Sequence, residues 1–313
     1  MLAPVMRAAI INAARKIGFI SQVRILNQNC GCNFIFAIAV ATGCIFASPN
    51  LKAASVWKIT DPAGGVLYLA GSVHALRPVD YPLPQAYTRA IDASSRLVLE
   101  VDPKDSEADM KDLLKAGKYS QGDNLKNHVD PRTYQYLRRF FAARNVPEEK
   151  FITFRPWLID LMLSTPPPEY FNLGVDRFLA GRARAASKPI SGLESVKEHN
   201  RVFEGLTDRE SEMVLLLFFI NAGREDGSGT SMIANWRRGD VDLVANRMRE
   251  SYRDFPAFYQ RLIIARNQSW IPKIEQYLRS GQIYFVVAGA GHMGGPDGLL
   301  TLLRQRGCRI DQL

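Results

Sequence analysis

The chain has 313 residues, 47% hydrophobic, 23% charged and 10% aromatic. That balance excludes a disordered tail, a collagen-like fibre and a multi-span membrane protein, and it leaves enough chain for one elaborate domain or two modest ones. The formal net charge is +9, but Arg7, Arg15, Lys16, Arg24 and Lys52 lie in an acid-free stretch over residues 1–54, and without them 35 bases face 31 acids. A body at +4 has no basic stripe, recognition-helix motif or aromatic RNA-binding motif, so no nucleic-acid partner is expected.

The acid-free stretch reads as an address. Residues 34–47, Phe-Ile-Phe-Ala-Ile-Ala-Val-Ala-Thr-Gly-Cys-Ile-Phe-Ala, carry no charge. The run is shorter than the ~18–20 residues of a membrane span. A basic segment precedes it and small residues, Ala47-Ser48 and Ala53-Ala54, follow it. That order is the layout of a secretory signal. The long segment before the run leaves open an internal start or a retained membrane anchor, and Ala41-Thr42-Gly43-Cys44 faintly resembles a lipoprotein cleavage box. The expectation is an exported protein, periplasmic or anchored to the membrane and facing the periplasm or exterior. Cys30, Cys32 and Cys44 all fall in this leader, and Cys308 is alone in the body. One cysteine makes no internal disulfide and no thiolate zinc site, so a metal in the body must be held by histidines and carboxylates.

In the body, Trp57-Lys58-Ile59 and Val66–Ala70 are short apolar runs on either side of Asp61-Pro62-Ala63-Gly64-Gly65, which predicts a β-hairpin. Pro82–Ala93 reads as a helix and Ser95–Asp102 as a buried strand ending in acids. Residues 103–112 read as a polar loop. From about 112 to 225 the pattern is mostly helical, with amphipathic stretches at Arg132–Arg144 and Val175–Ala186 and a capping box at Thr207–Glu210. Thr165–Pro168 breaks this region, and Lys188–Leu193 is expected as a short strand. Asp226–Thr230 reads as a flexible linker, followed by two or three helices to about residue 280. Gln282–Ala288 is a β run, Leu299–Arg306 a short helix and Cys308-Arg309-Ile310 a final strand. The expected fold is α/β: a three-layer α/β/α core whose sheet draws strands from both chain ends, with a large helical insertion at about 105–280.

Of the four histidines, two share a context. Gly71-Ser72-Val73-His74 follows one expected strand, and Gly289-Ala290-Gly291-His292 follows another. Ligand-binding groups of open α/β sheets gather outside the carboxyl ends of strands. Gly71, Gly289 and Gly291 allow positive φ and close backbone approach there. A third strand ends in Glu100 and Asp102. If the strands are parallel neighbours, His74, Glu100 and His292 converge. Two imidazoles and a carboxylate suit a divalent transition metal such as Mn, Co or Zn. Such a site leaves room to activate water. His128 and His199 have no comparable setting and read as surface or helix residues.

Gly71–His74, Tyr81-Pro-Leu-Pro84, Leu97–Asp102 and Gly289–Gly298 together resemble the TraB/GumN family. Arg155-Pro156-Trp157, Gly174-Val175-Asp176, Gly192-Leu193-Glu194 and Arg266-Asn267 fall in the family's order. The resemblance covers about residues 55–313. It implies an erythromycin-esterase/ChaN-like fold and a relationship to the Tiki membrane metalloproteases. It also implies metal-dependent hydrolysis, with peptide or protein as substrate. By position, His74, His292 and Glu100 match the expected metal ligands, Arg266 a group that binds a substrate carboxylate or oxyanion, and Glu194 a ligand or base. Each has a structural alternative: Arg266 as an ion-pair partner, Glu194 as a helix cap. Glu198-His199 stands where family members often have Gln. The competing readings are a non-catalytic protein binding a peptide, glycan or haem-like ligand, and an accessory factor in extracellular polysaccharide assembly.

Overall fold

In the computed structural model, which describes residues 54–104, 107–222 and 228–313, the chain opens with the expected hairpin. β1 (Val56–Thr60) pairs antiparallel with β2 (Val66–Ser72). The turn between them is closed by the Gly65 N–H donating to Asp61 Oδ1 at 2.7 Å. Helix α1 (Gln85–Ala93) and β3 (Arg96–Val101) follow. The middle of the chain is α2 (Glu107–Ala116), α3 (Pro131–Ala142), α4 (Pro156–Leu163), α5 (Pro168–Phe171) and α6 (Val175–Ala185). Then come β4 (Ile190–Glu194), α7 (Val196–Glu204), α8 (Asp208–Ala222), α9 (Ser228–Arg238), α10 (Val241–Ser251), α11 (Pro256–Tyr259) and α12 (Ala265–Leu278). The chain closes with β5 (Tyr284–Gly289), α13 (Leu299–Arg304) and β6 (Arg309–Gln312).

The six strands form one mixed sheet in the order β4-β3-β5-β2-β1-β6. β4, β3, β5 and β2 are mutually parallel, and β1 is antiparallel to both its neighbours. The run Phe285-Val286-Val287-Ala288 is buried throughout because β5 lies at the centre with helices over both faces. Strand side chains alternate between faces. Phe285 and Val287 pack with Leu97 and Leu99 under α1 and α6, through Tyr87, Ile91, Val175 and Leu179. Val286 and Ala288 pack with Leu67, Leu69 and Val98 under α12 and α13. The result is the expected three-layer α/β/α core. On its second face, burying Ile271 and Ile274 stabilises by roughly 1.5–3 kcal/mol each. A separate helical core surrounds Phe141, Trp157, Phe203 and Phe258, so Trp157 is a packing residue.

Two local expectations are corrected. Residues from 107 are helical, not loop: α2 spans Glu107–Ala116. Ser228, Gly229 and Thr230 belong to α9 rather than to a linker; Asp226 and Gly227 lie outside the described residues. The leader, with its signal, anchor and lipoprotein alternatives, also lies outside them. Among the described residues, no helix is long and apolar enough to cross a membrane.

Candidate metal centre

Because β2, β5, β3 and β4 are parallel, their carboxyl ends share one edge of the sheet. Each delivers a polar residue there. His74 lies two residues past β2, His292 three past β5, Glu100 at the penultimate position of β3, and Glu194 at the last of β4. The register Ser72↔Gly289 sets the first two levels, and the Gly289 N–H donates to Glu100 Oε1 at 2.7 Å. His74, Glu100 and His292 are each only 3% exposed.

The glycines act here through close approach. None of Gly71, Gly289 and Gly291 has positive φ, so that part of the expectation is corrected. A Cβ on Gly71 would press on Ala290 at 3.1 Å, and one on Gly291 would meet the Met248 thioether. Gly174, at the start of α6, plays the same part from the other side: a Cβ there would collide with the His74 carbonyl.

Both histidines are fixed at Nδ1. His74 Nδ1–H donates to Asp176 Oδ2 at 2.6 Å, and His292 Nδ1–H donates to Asn267 Oδ1 at 2.7 Å. An oxygen acceptor at Nδ1 leaves the lone pair on Nε2. His74 Nε2 is buried, makes no hydrogen bond, and lies 4.0 Å from Glu100 Oε1. His292 Nε2 accepts from Arg266 Nη1 at 3.1 Å.

Arg266 enters from α12, directly after the π-helical turn Gln260–Ile264, a local distortion frequent at functional sites. All five of its N–H groups are used. Nη1 donates to Leu262 O and His292 Nε2; Nη2 donates to Glu100 Oε2 and Glu194 Oε1, both at 2.7 Å; Nε donates to Glu194. Its guanidinium also lies 4.6 Å from the Trp270 ring, whose Nε1–H donates to Glu194 Oε2 at 3.2 Å. His199 completes the group, with Nδ1 donating to Glu194 Oε1 at 2.7 Å and lying 3.2 Å from Arg266 Nη2.

The charges follow from these contacts. Burial alone would raise Glu100, but Arg266 and then His292, His74 and His199 hold it well below the usual carboxylate range. Glu194 is treated the same way by Arg266 and His199 and sits at about 2. Burial, reinforced by Arg266, pushes His292 down to about 3. His199 is lowered too, by burial against the opposing pull of Glu194. At neutral pH, Glu100 and Glu194 are therefore carboxylates facing the Arg266 guanidinium, and His292 and His199 are neutral imidazoles. Glu194 has both oxygens engaged and little basicity left.

The structure thus brings His74, Glu100, His292, Glu194 and Arg266 into one buried group. It adds His199, which the sequence reading placed on a surface or helix. The signal was present: Val196, His199, Asn200 and Phe203 follow the i, i+3, i+4, i+7 spacing of a buried helical stripe. Asp176, Asn267 and Trp270 were not singled out as site residues, although the first two lie within noted motifs. Asp102 is a loop-entry carboxylate, accepting from the Lys104 N–H at 2.9 Å.

In donor chemistry, imidazole nitrogens and carboxylate oxygens in one buried group, the residues fit a divalent metal. Glu100, Glu194 and His199 offer ligand atoms within 4.8 Å of one another, but Arg266 Nη2 lies against all three. His74 Nε2 differs in being a buried lone pair to which no group donates. Glu100 Oε1 lies 4.0 Å from it, so this imidazole and this carboxylate would be the two donors there. An oxygen acceptor behind each imidazole is the usual support of a metal-bound histidine.

The chain belongs to the TraB/PrgY/gumN family, whose sequence model matches residues 55–312. An uncharacterized protein of Treponema pallidum (strain Nichols) is 22% identical over 283 residues, covering 83% of this chain and 84% of that protein. Metalloprotease TIKI2 of Danio rerio is 23% identical over 304 residues, covering 78% of this chain but 58% of the relative's length. No solved structure matches.

Proposed function

We propose that this member of the TraB/PrgY/gumN family is an exported or membrane-tethered metal-dependent hydrolase acting on peptide bonds. The observation that carries the reading is the pair of strand-end histidines, each with Nδ1–H committed to an oxygen and Nε2 turned into one buried centre. His74, His292 and Glu100 would hold a divalent ion, Mn, Co or Zn. The chemistry such an ion supplies is Lewis acidity, which polarises a carbonyl and acidifies water. The name of the Tiki relative supports the hydrolase class, and the acid-free leader supports export.

The protein's own groups divide the remaining work. Asp176 and Asn267 fix the tautomers of His74 and His292. Glu194, His199 and Trp270 anchor Arg266. Arg266 Nη1–H, which His292 Nε2 accepts, is the guanidinium donor nearest the proposed ligands, and it would be the group to hold a substrate oxygen and stabilise its developing charge. A second reading, a non-catalytic ligand-binding or assembly protein, has one observation in its favour: Arg266 pairs directly with both Glu100 and Glu194, as a structural ion-pair partner would.

Metal content of the full chain, measured by plasma mass spectrometry, tests the proposal. About one transition metal per chain is expected. It should be absent from His74→Ala and from His292→Ala, with loss of hydrolysis of a peptide library. No metal after reconstitution with Mn, Co or Zn would overturn the proposal and leave the binding reading.

A further inference from the structure

Beside the centre, on the side of Glu194 and Arg266, opens a pocket of about 400 Å³. Arg201 from α7, Arg261 from the π-helical turn and Lys273 from α12 stand around it, with Glu198 as its further acid. Each outer cation has an acid in electrostatic range, Glu204 for Arg201, Glu210 for Arg261 and Glu198 for Lys273, but none of these pairs closes to contact. Among the described residues, none of the three cations makes an ion pair, and the Arg201 guanidinium makes no hydrogen bond. Arg261 donates from Nη1 to Gly205 O at 3.0 Å, leaving the rest of its fork open. Lys273 Nζ donates to Leu193 O, which fixes the ammonium at the pocket wall. The acids offer little competition. Glu198 Oε2 accepts from the Ser195 N–H and hydroxyl, capping α7. Glu194 is saturated by Arg266, His199 and Trp270.

The pocket wall itself carries four cations, Arg201, Arg261, Arg266 and Lys273, against two carboxylates, Glu194 and Glu198. We propose that this pocket is a subsite for one carboxylate of the substrate: a chain-terminal carboxylate or an acidic side chain beside the bond that is cleaved. The word substrate rests on the hydrolase reading; the binding of a carboxylate does not. Guanidinium groups with open forks take carboxylates through paired N–H donors, which gives orientation as well as attraction. The pocket shares Arg266 with the centre, so a chain anchored there runs past the atoms proposed to act on it.

The test is fluorescence polarisation on the full, chelator-treated chain with tagged hexapeptides. One peptide ends in a free carboxylate, its partner in an amide; a second pair, both amidated, carries Asp or Asn internally. At least one acid form is expected to bind about 10-fold tighter than its neutral partner, and whichever pair shows the preference identifies the source. In Arg201→Ala/Arg261→Ala the ratio should fall below about 2-fold. Arg201→Ala alone removes no side-chain hydrogen bond or ion pair among the described residues, only the longer-range attraction to Glu204, so it keeps the test open if the double variant misfolds. It should lower the ratio about 3-fold with unchanged Tm. Equal binding of acid and neutral peptides overturns the proposal. So does a preference that survives both variants, or displacement of the peptide by inorganic phosphate at lower concentration than by acetate. Retained carboxylate preference in a protein that hydrolyses nothing leaves this subsite standing and defeats the hydrolase reading. Hydrolysis without that preference does the reverse.

Discussion

Two histidine–carboxylate networks sit in this molecule, and they are built to opposite ends. At the sheet edge, His74 is held at Nδ1 by Asp176 while its buried Nε2 has no partner. In the helical region, His128 is held at both nitrogens, Nε2 to Asp123 at 2.6 Å and Nδ1 to Asp208 at 2.7 Å. Its ring stacks on Tyr119 with centroids 4.1 Å apart, and Arg155 reaches Asp208 from the start of α4. An imidazole donating from both nitrogens carries its proton and ties chain segments together. One that donates from a single nitrogen keeps a lone pair for something else. The difference separates a clamp from a ligand without reference to sequence motifs.

The largest test of that contrast removes the cation from each network. Arg266→Ala strands Glu100 and Glu194 in a buried setting. It should cost about 3–5 kcal/mol in urea denaturation of the metal-free protein. Arg155→Ala, at a solvent-accessible pair, should stay within about 0.5 kcal/mol. Comparable losses from the two would remove the distinction. The next effect is on metal affinity. Asp176→Asn weakens the support behind His74 and should lower affinity about 10–100-fold while the fold persists. Gly174→Ala should do the same by a different route, because the added methyl pushes on the His74 carbonyl. Titration with Zn followed by calorimetry reads both. Unchanged affinity in Asp176→Asn would mean that His74 is not a ligand.

Much of this arrangement was legible in the sequence, because parallel strands impose simple rules. A buried strand followed by Gly-x-x-His puts the histidine at the carboxyl edge, and two copies predict convergence. What remained hidden depends on tertiary approach. Asp176 opens α6 and reaches His74 only because Gly174 lets the helix start against the His74 backbone. His199 is five residues from Glu194, and only the turn into α7 returns its ring to the same carboxylate. Arg266 was expected either to bind substrate or to make an ion pair. It holds two carboxylates and a histidine at once, which spacing cannot reveal. The α9 start was misread because Gly227-Ser228-Gly229 resembles a linker, whereas Trp236 from the same helix inserts under the sheet and donates to Gly71 O at 2.8 Å.

The smallest effect carries the sharpest sign. In the metal-free protein, His292 and His199 are kept neutral by burial, so the unfolded chain takes up protons that the folded chain refuses. Stability should therefore fall as pH drops below the unfolded histidine value of about 6.5. For His292 the loss continues toward its folded value of about 3. Glu100 and Glu194 add to it once pH passes below the ordinary carboxylate range, because both are held low in the fold. His128 runs the other way. Burial would lower it, but its bonds to Asp208 and Asp123 prevail and raise it. Its contribution is complete below about pH 6.5 and is lost as pH rises through its folded value. His128→Gln should then flatten the alkaline limb of a urea-midpoint profile by less than about 1 kcal/mol. It also frees Asp123, which His128 helps hold at about 2, so only the histidine part of the acid limb, from about pH 6.5 down to the carboxylate range, should stay in place. If His128→Gln alters that part, the two networks are coupled through the helical core, and the division between clamp and ligand fails.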